Sequence, residues 1–346
     1  DNPEVSKTML ANLNQDMVGA KQSVGSRIQH ITRTPWSQPS YLDAVVESIA
    51  GMVMKGNSAY LSAAMAGTRQ PYSLRILAHM GTRERYGAEI VPYFDSTDHL
   101  VFNESVIGVP GITLTNWPDE NIHSSDDDLW QMDATQLQRN AIIVAATAVY
   151  LASLTPEGVP ALLGQVQSGA LRSLDVAYAR ASEMITLAAP AERAAAYLDG
   201  VNLLEQSRKN AAAALDSLKV FQPDRRTAEY VEECKSSMTG FTQARVRALE
   251  GHYRSMSGGA QLPAAEPGDE EKAMAAKSPE VAGTVGEYFE KREKIEREAF
   301  AGLHALMAYE VFNFVDGKRS YLEIYRAVKA EAQSVGRWYY GTVTVK

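Results

Sequence analysis

One histidine of this sequence, His123, lies in a segment whose residue types could bind a metal ion. An apolar, β-like run at residues 109–115 is followed by a Pro-Asp turn, and hydroxyls and carboxylates occupy residues 124–128 after the histidine. Imidazole and carboxylate groups are common zinc ligands. Cys234 is the only cysteine, which excludes an intrachain disulfide and a thiolate zinc site. The segment therefore predicts a zinc hydrolase whose metal is held by histidine and carboxylates.

Two further motifs could contribute to the same chemistry. Residues 14–19, Asn-Gln-Asp-Met-Val-Gly, place Asp16 at the end of a predicted strand and before a glycine turn. Residues 95–102, Asp-Ser-Thr-Asp-His-Leu-Val-Phe, contain Asp98 and His99 and precede a Gly-Val-Pro sequence. A lone aspartate after a strand is usually a turn or cap residue. The interpretation of Asp16 as a metal ligand therefore depends on all three motifs occurring in this order.

The elements that must position these residues form an α/β pattern over residues 1–130. A helix is predicted at residues 41–54, where apolar residues recur at helical spacing and Ser40 can cap the first turn. Strands separated by turn residues are predicted at 11–18, 27–32, 76–80, 89–93 and 112–116. After Trp130 the sequence is rich in helix-forming residues with helical periodicity, which predicts helices at 131–154, 161–188, 190–221, 224–255 and 279–314.

The C-terminal part of the sequence contains a predicted loop and a small last module. Residues 257–277 contain a Gly pair, prolines and an acidic run, which predict an exposed loop. An Asp-Gly turn opens the last module, in which Ser320 can cap a helix that runs to Ala332, and residues 337–345 are strand-like. We therefore predict three parts: an α/β domain at 1–154, a helical extension at 155–314 and a winged-helix-like module at 315–346 that ends abruptly.

Composition and charge narrow the class of partners. Hydrophobic residues make up 45% of the sequence and charged residues 22%, as in an ordinary globular protein. The formal net charge of −8 and the lack of basic clusters argue against nucleic acid as a partner. No apolar run is long enough to span a bilayer, and the first residues lack the basic and apolar regions of a signal peptide. We therefore expect no membrane span, and a signal peptide that is either absent or already removed.

The three motifs resemble those of the bacterial zinc aminopeptidase family, which also includes glutaminyl cyclases, glutamate carboxypeptidase and the transferrin receptor ectodomain. In that family an Asn-x-Asp-Met-x-Gly strand end supplies a metal-binding aspartate, which corresponds to Asp16. A later Ser-Asp-His motif contains an aspartate that lies beside the catalytic glutamate, and it corresponds to Asp98. The histidine of the last motif is the final metal ligand and corresponds to His123. The resemblance covers roughly the first 150 residues.

The resemblance implies a fold and an activity. The fold would be α/β, with part of an α/β/α sandwich followed by a mostly α-helical region. The activity would be that of a zinc metallopeptidase with one or two zinc ions, which releases N-terminal residues from peptides by metal-activated water. The resemblance also implies a secreted or periplasmic location. His99 is not a ligand in the family, and we interpret it as structural.

The sequence departs from the family in what precedes the first motif. Family members carry an upstream His-x-Asp and a Glu-Glu pair that supply further ligands and the catalytic base, whereas 13 residues precede Asn14 here. Asp16 and His123 make two protein ligands, and a catalytic zinc normally has three. We therefore expect the catalytic glutamate to come from a missing N-terminal part of the catalytic domain, in the same gene product or in a separate chain.

Two other functions compete with the peptidase interpretation. A catalytically inactive relative could serve as a structural or interaction subunit, as the transferrin receptor does with the same fold. Acyl transfer of the glutaminyl cyclase kind is the second alternative, but chains of that branch lack a helical extension of this length. A homo-oligomer is compatible with all three functions. Cys234 lies in a predicted helix without a partner motif, which favours a buried thiol over a nucleophile.

Overall fold

The computed structural model describes residues 7–24, 28–67, 72–95, 97–264, 267–300 and 302–344. The chain divides into two compact units. Unit 1 comprises residues 1–35, 40–165 and 220–222, and unit 2 comprises residues 36–39, 166–219 and 223–346. The three-part division predicted from the sequence stays a prediction.

Unit 1 contains a mixed sheet of four short strands. The strands are β1 (Asn12–Gln15), β2 (Gln29–Thr32), β3 (Ala88–Val91) and β4 (Gly111–Thr115), and their order in the sheet is β1-β4-β2-β3. β1 is parallel to β4, β2 is parallel to β3, and β2 is antiparallel to β4. All five residues of β4 are buried. β4 is therefore the central strand to which the first motif and the last motif are both attached.

The predicted strand at residues 76–80 is wrong. These residues are irregular, and the segment is bonded to a helix instead of to a neighbouring strand. The Leu74 amide donates to the Gly56 carbonyl (2.9 Å), and the Asn57 side chain donates to the carbonyls of Leu74 and Ile76 (3.1 and 2.9 Å). Because a buried asparagine takes up these carbonyls, the segment needs no strand partner.

Three helices complete unit 1 among the described residues: α1 (Tyr41–Ala66), α2 (His99–Phe102) and α3 (Ala134–Ser153). The Ser40 hydroxyl accepts from the Leu42 amide (3.1 Å), which confirms the predicted cap of α1, and the helix ends at Gly67 in the left-handed conformation (φ 67°). The Asp133 carboxylate accepts from the Thr135 amide (3.0 Å) and caps α3. α1 packs against α3, and Leu42, Leu114 and Ile143 are buried in this part of the molecule.

Helices make up most of the remaining chain. They are α4 (Val159–Leu187), α5 (Arg193–Asp216), α6 (Arg225–Met256), α7 (Asp269–Ala275), α8 (Val285–Ala299), α9 (Ala305–Asn313), α10 (Tyr321–Val335) and α11 (Arg337–Tyr340), and short 3-10 helices lie at Leu129–Gln131, Pro156–Gly158 and Ser217–Phe221. The core of unit 2 includes Ala181, Ile185, Leu203, Leu204 and Leu249, from α4, α5 and α6. The expected α/β domain followed by a helical region is thus confirmed.

The C-terminal helices differ from the prediction in detail. The single helix predicted at 279–314 is two helices, α8 and α9, and the predicted loop at 257–277 contains α7. Ser320 does cap α10, through a capping box with Glu323. The strand predicted at 337–345 is wrong, because Gly336 (φ 106°) ends α10 and the aromatic residues that follow form the short helix α11, in which Tyr340 is buried.

None of the described helices is long and apolar enough, taken singly, to cross a membrane. One bent pair, Ala134–Ser153 with Pro156–Leu187, meets the length and composition test when the two are taken together.

Candidate functional site

Asp16 lies directly after β1, where its neighbours fix the backbone and leave the carboxylate exposed. The Asp16 amide donates to the Leu114 carbonyl of β4 (3.1 Å). Met17 follows in the left-handed conformation (φ 54°), and its carbonyl accepts from the Asn116 amide (2.8 Å). The Asp16 carboxylate is therefore exposed at the end of the β1–β4 pair.

Asn116 is the residue that holds this turn together. Its side chain is buried, with 2% of the residue exposed. The amide oxygen accepts from the Ala20 backbone amide (3.4 Å), and the amide nitrogen donates to the Ile28 carbonyl (3.1 Å). Asn116 therefore connects the Asp16 turn to the start of β2. None of the three motifs indicates this role of Asn116, because its contacts join residues 88 and 96 positions apart.

The second motif is fastened to the first by side-chain hydrogen bonds. The Asn14 side chain donates to the hydroxyls of Thr97 (2.6 Å) and Thr113 (3.2 Å). The Thr97 hydroxyl lies in turn 2.8 Å from His99 Nδ1. The Asn103 side chain donates to the Gly111 carbonyl (2.9 Å) and accepts from the Gly111 amide (2.9 Å), which fixes α2 against β4.

His99 is buried within this network, as expected for a structural histidine. None of its surface is exposed, and its ring lies 5.6 Å from that of Tyr93. Burial lowers the pKa of His99 to about 4, so the imidazole is neutral at neutral pH. Asp98, one residue earlier, is exposed at the start of α2 and makes no capping hydrogen bond with its side chain. Its carboxylate is therefore available to a further group.

His123 lies on an exposed turn beyond the end of β4. Its backbone is left-handed (φ 60°), a conformation that histidine adopts more readily than most residues. The turn is closed by the Ser124 amide, which donates to the Asn121 carbonyl (3.1 Å). The Asn121 side chain donates to Gln131 Oε1 (2.7 Å) and ties the turn to the 3-10 helix before α3. Asp128 caps that 3-10 helix, whereas Asp133 caps α3.

The topology places Asp16 and His123 in segments that leave the same edge of the sheet. Asp16 follows β1 and the His123 turn follows β4, and these two strands are parallel neighbours. Zinc in proteins takes three or four ligands. Over the described ranges, no three His, Cys, Asp or Glu side chains are placed to hold a metal ion. The described donors therefore do not complete a zinc site by themselves.

Comparison with known proteins identifies the N-terminal part of the chain. Residues 2–148 match the family model described as Peptidase family M28. For this part of the chain, the match confirms the resemblance to a metallopeptidase family that the three motifs carry. The match points to a peptidase, and so to a hydrolase. A search of curated proteins and a search of solved structures each found no match.

Replacing His99 by glutamine is expected to reduce the loss of stability on acidification. The pKa of His99 is about 4 in the folded protein, against an ordinary value of 6.5. Between these values the unfolded chain binds a proton that the folded protein does not, so stability present above pH 6.5 is lost as the pH falls towards 4. The free energy of unfolding, measured with urea over this pH range, should therefore fall less steeply in H99Q.

His79 supplies the matched control, because it is exposed and belongs to none of the three motifs. The H79Q variant should keep the pH dependence of the wild type. A difference between wild type and H99Q that stays constant with pH would show that His99 does not carry the depressed pKa.

Proposed function

We propose that the protein is a zinc-dependent metallopeptidase that releases N-terminal residues from peptides, with Asp16 and His123 as two of its metal ligands. The observation that carries the proposal is the match of residues 2–148 to peptidase family M28, the region that contains all three motifs. The exit of Asp16 and of the His123 turn from parallel neighbouring strands supports it. The exposure of both side chains also supports the proposal, because a ligand side chain must be accessible to the metal ion.

The remaining ligands and the catalytic glutamate are proposed to come from a further part of the catalytic domain, in the same gene product or in another chain. The incomplete donor set of the described residues motivates this part of the proposal. In such an assembly Asp16 and His123 would each offer a metal-binding side chain from a turn whose backbone is held by hydrogen bonds. The exposed Asp98 carboxylate would accept a hydrogen bond from the incoming groups and orient the catalytic glutamate. A secreted or periplasmic location and a homo-oligomer stay predictions.

The test is an assay of the intact gene product with and without added zinc. Peptides with a free N-terminus, the same peptides acetylated at the N-terminus, and peptides that begin with glutamine separate the candidate activities. Stepwise release from the free peptides alone, lost with a chelator and restored by zinc, would support the aminopeptidase. Cleavage of the acetylated peptides would contradict release from the N-terminus, and formation of pyroglutamate would favour the acyl-transfer alternative.

A catalytically inactive subunit is the second candidate, and the incomplete donor set favours it. This function predicts that the intact gene product binds no stoichiometric zinc and cleaves none of the three peptide sets. Zinc content measured by elemental analysis after dialysis separates this candidate from the enzyme. One or two zinc ions per chain, lost together with activity, would exclude the inactive subunit.

A further inference from the structure

Two glutamates of unit 2 are buried against each other. Glu310 lies on α9 and Glu331 lies on α10, and these helices pack together. None of the surface of Glu310 and 1% of that of Glu331 is exposed. Each carboxyl group acts on the pKa of the other, so the two groups lie side by side in the interior. A carboxyl–carboxyl hydrogen bond needs a proton on one partner, because two carboxylates in contact cannot both be ionised.

The pair also binds the backbone of a separate segment of unit 2, residues 36–39. The Ser37 amide donates to Glu310 Oε2 (2.8 Å), and the Ser37 hydroxyl donates to Glu310 Oε1 (2.9 Å). The Asn313 side chain lowers the pKa of Glu310, and the Trp36 backbone lowers that of Glu331, so both lie beside the pair. Glu310 therefore holds Ser37, and Glu331 lies beside the preceding residue, Trp36.

The charged groups of the surrounding elements bind elsewhere. Lys329 of α10 pairs with Asp199 of α5 (2.6 Å), Arg292 of α8 pairs with Glu296 (2.8 Å), and Arg319, before α10, pairs with Asp316 (3.1 Å). Lys209 of α5 and Arg319 act on Glu323 of α10, whose carboxylate accepts from the Ser320 amide (2.9 Å). Residues 36–39 contain no ionisable side chain. Within the described chain, no cation forms a salt bridge with Glu310 or Glu331.

We propose that Glu310 and Glu331 share one proton at neutral pH and form a pH-dependent clasp that holds Trp36 and Ser37. Glu310, which accepts from both Ser37 donors, is the carboxylate. Glu331 is the acid, since its Oε2 is buried and accepts no hydrogen bond from the described residues. Loss of the proton places two adjacent, unneutralised carboxylates in the interior and releases the clasp.

The direction of the pH effect follows from burial. Desolvation raises the pKa of both carboxyls, that of Glu331 well above its ordinary value. A raised pKa in the folded state gives stability that is complete below the pKa of the unfolded chain. This stability is lost as the pH rises towards the pKa of the folded protein. The clasp is therefore closed at acidic and neutral pH and opens at alkaline pH.

Hydrogen exchange of the full chain tests the clasp directly. Pro35 and Pro39 carry no amide, so a peptide of residues 34–39 reports on the amides of Trp36, Ser37 and Gln38. After correction for intrinsic exchange, protection in the wild type should fall by at least ~10-fold between about pH 6 and pH 9. In E331Q the amide replaces the shared proton with a permanent donor, so protection should stay constant over this range. In E310Q the acceptors of Ser37 are reduced, so protection should be lower at every pH.

The matched control is E192Q, an exposed glutamate of unit 2 whose side chain makes no capping bond, and it should behave as the wild type. Infrared spectroscopy at neutral pH gives a second readout, because the wild type and E192Q should show the carbonyl stretch of a protonated carboxylic acid and E331Q should lack it. If E331Q does not fold, the pH dependence of protection and the infrared band of the wild type test the proposal by themselves. Protection that is independent of pH, or absence of the protonated carboxyl band, overturns the proposal.

Discussion

Replacing His123 by alanine is expected to lower kcat/KM for peptide hydrolysis by about 100-fold or more in the zinc-loaded gene product. His123 is the proposed ligand from the turn after β4, and its backbone is fixed by the turn that Ser124 closes. Alanine removes the imidazole without disturbing a buried contact, because the residue is exposed. The folded protein should therefore lose only about 1–2 kcal/mol of stability, from alanine in the left-handed conformation, while it loses zinc affinity. Steady-state kinetics and zinc titration, made on the same preparations, measure both effects.

The H79A variant removes an exposed imidazole of unit 1 outside the motifs and should retain wild-type kinetics. D16N should reproduce the loss of zinc affinity, because an amide is a weaker zinc ligand than a carboxylate. Full activity and unchanged zinc content in H123A would show that His123 is not a metal ligand, even if the protein proves to be a peptidase.

Replacing Arg139 by methionine is expected to lower the free energy of unfolding by about 3 kcal/mol. Arg139 is fully buried on α3. Its Nε donates to Asn57 Oδ1 (2.8 Å), its Nη2 donates to the Glu84 carbonyl (2.7 Å), and its guanidinium lies 5.4 Å from the centre of the Tyr86 ring. Methionine fills part of the volume but leaves the buried Asn57 Oδ1 and the partly buried Glu84 carbonyl without this donor, and unsatisfied buried groups are costly.

Urea denaturation followed by circular dichroism measures this loss. R83A is the control, because Arg83 belongs to the same region and is exposed, so its removal should change stability by no more than about 0.5 kcal/mol. Lysine at position 139 should give an intermediate loss, since it keeps the charge but not the planar array of donors. A loss of less than about 1 kcal/mol in R139M would show that water satisfies the acceptors instead.

Much of the fold could be predicted because local signals agree with the tertiary structure. The Ser40 cap, the apolar run that defines β4 and the Ser320–Glu323 capping box each act over a few residues, and the structure contains all three. The strand-like composition of 76–80 and 337–345 was misleading for a different reason. Those segments owe their conformation to a distant asparagine and to buried tyrosine packing, and neither has a local signature.

The candidate site could likewise be predicted only in part. Residue types and their order led to the peptidase family and to Asp16, Asp98 and His123, and the family match over residues 2–148 supports the first of these steps. The bridges made by Asn14 and Asn116 could not be predicted, because they join residues that are 83 and 96 positions apart. Side-chain distances between metal donors depend on such long-range contacts, and the roles of the three site residues stay predictions.

The pairing of β1 with β4 also determines when this part of the sheet can form during synthesis of the chain. Asn14 and the Thr113 hydroxyl to which it donates are 99 positions apart in the chain. At a synthesis rate of roughly 5–20 residues per second, β1 leaves the ribosome about 5–20 s before the strand that it joins. β4 is the only partner of β1 among the described strands, so the β1 edge must stay open throughout that interval. The Asp16 turn therefore cannot form until residue 116 has been synthesised, and a nascent chain halted before residue 111 exposes an edge open to aggregation.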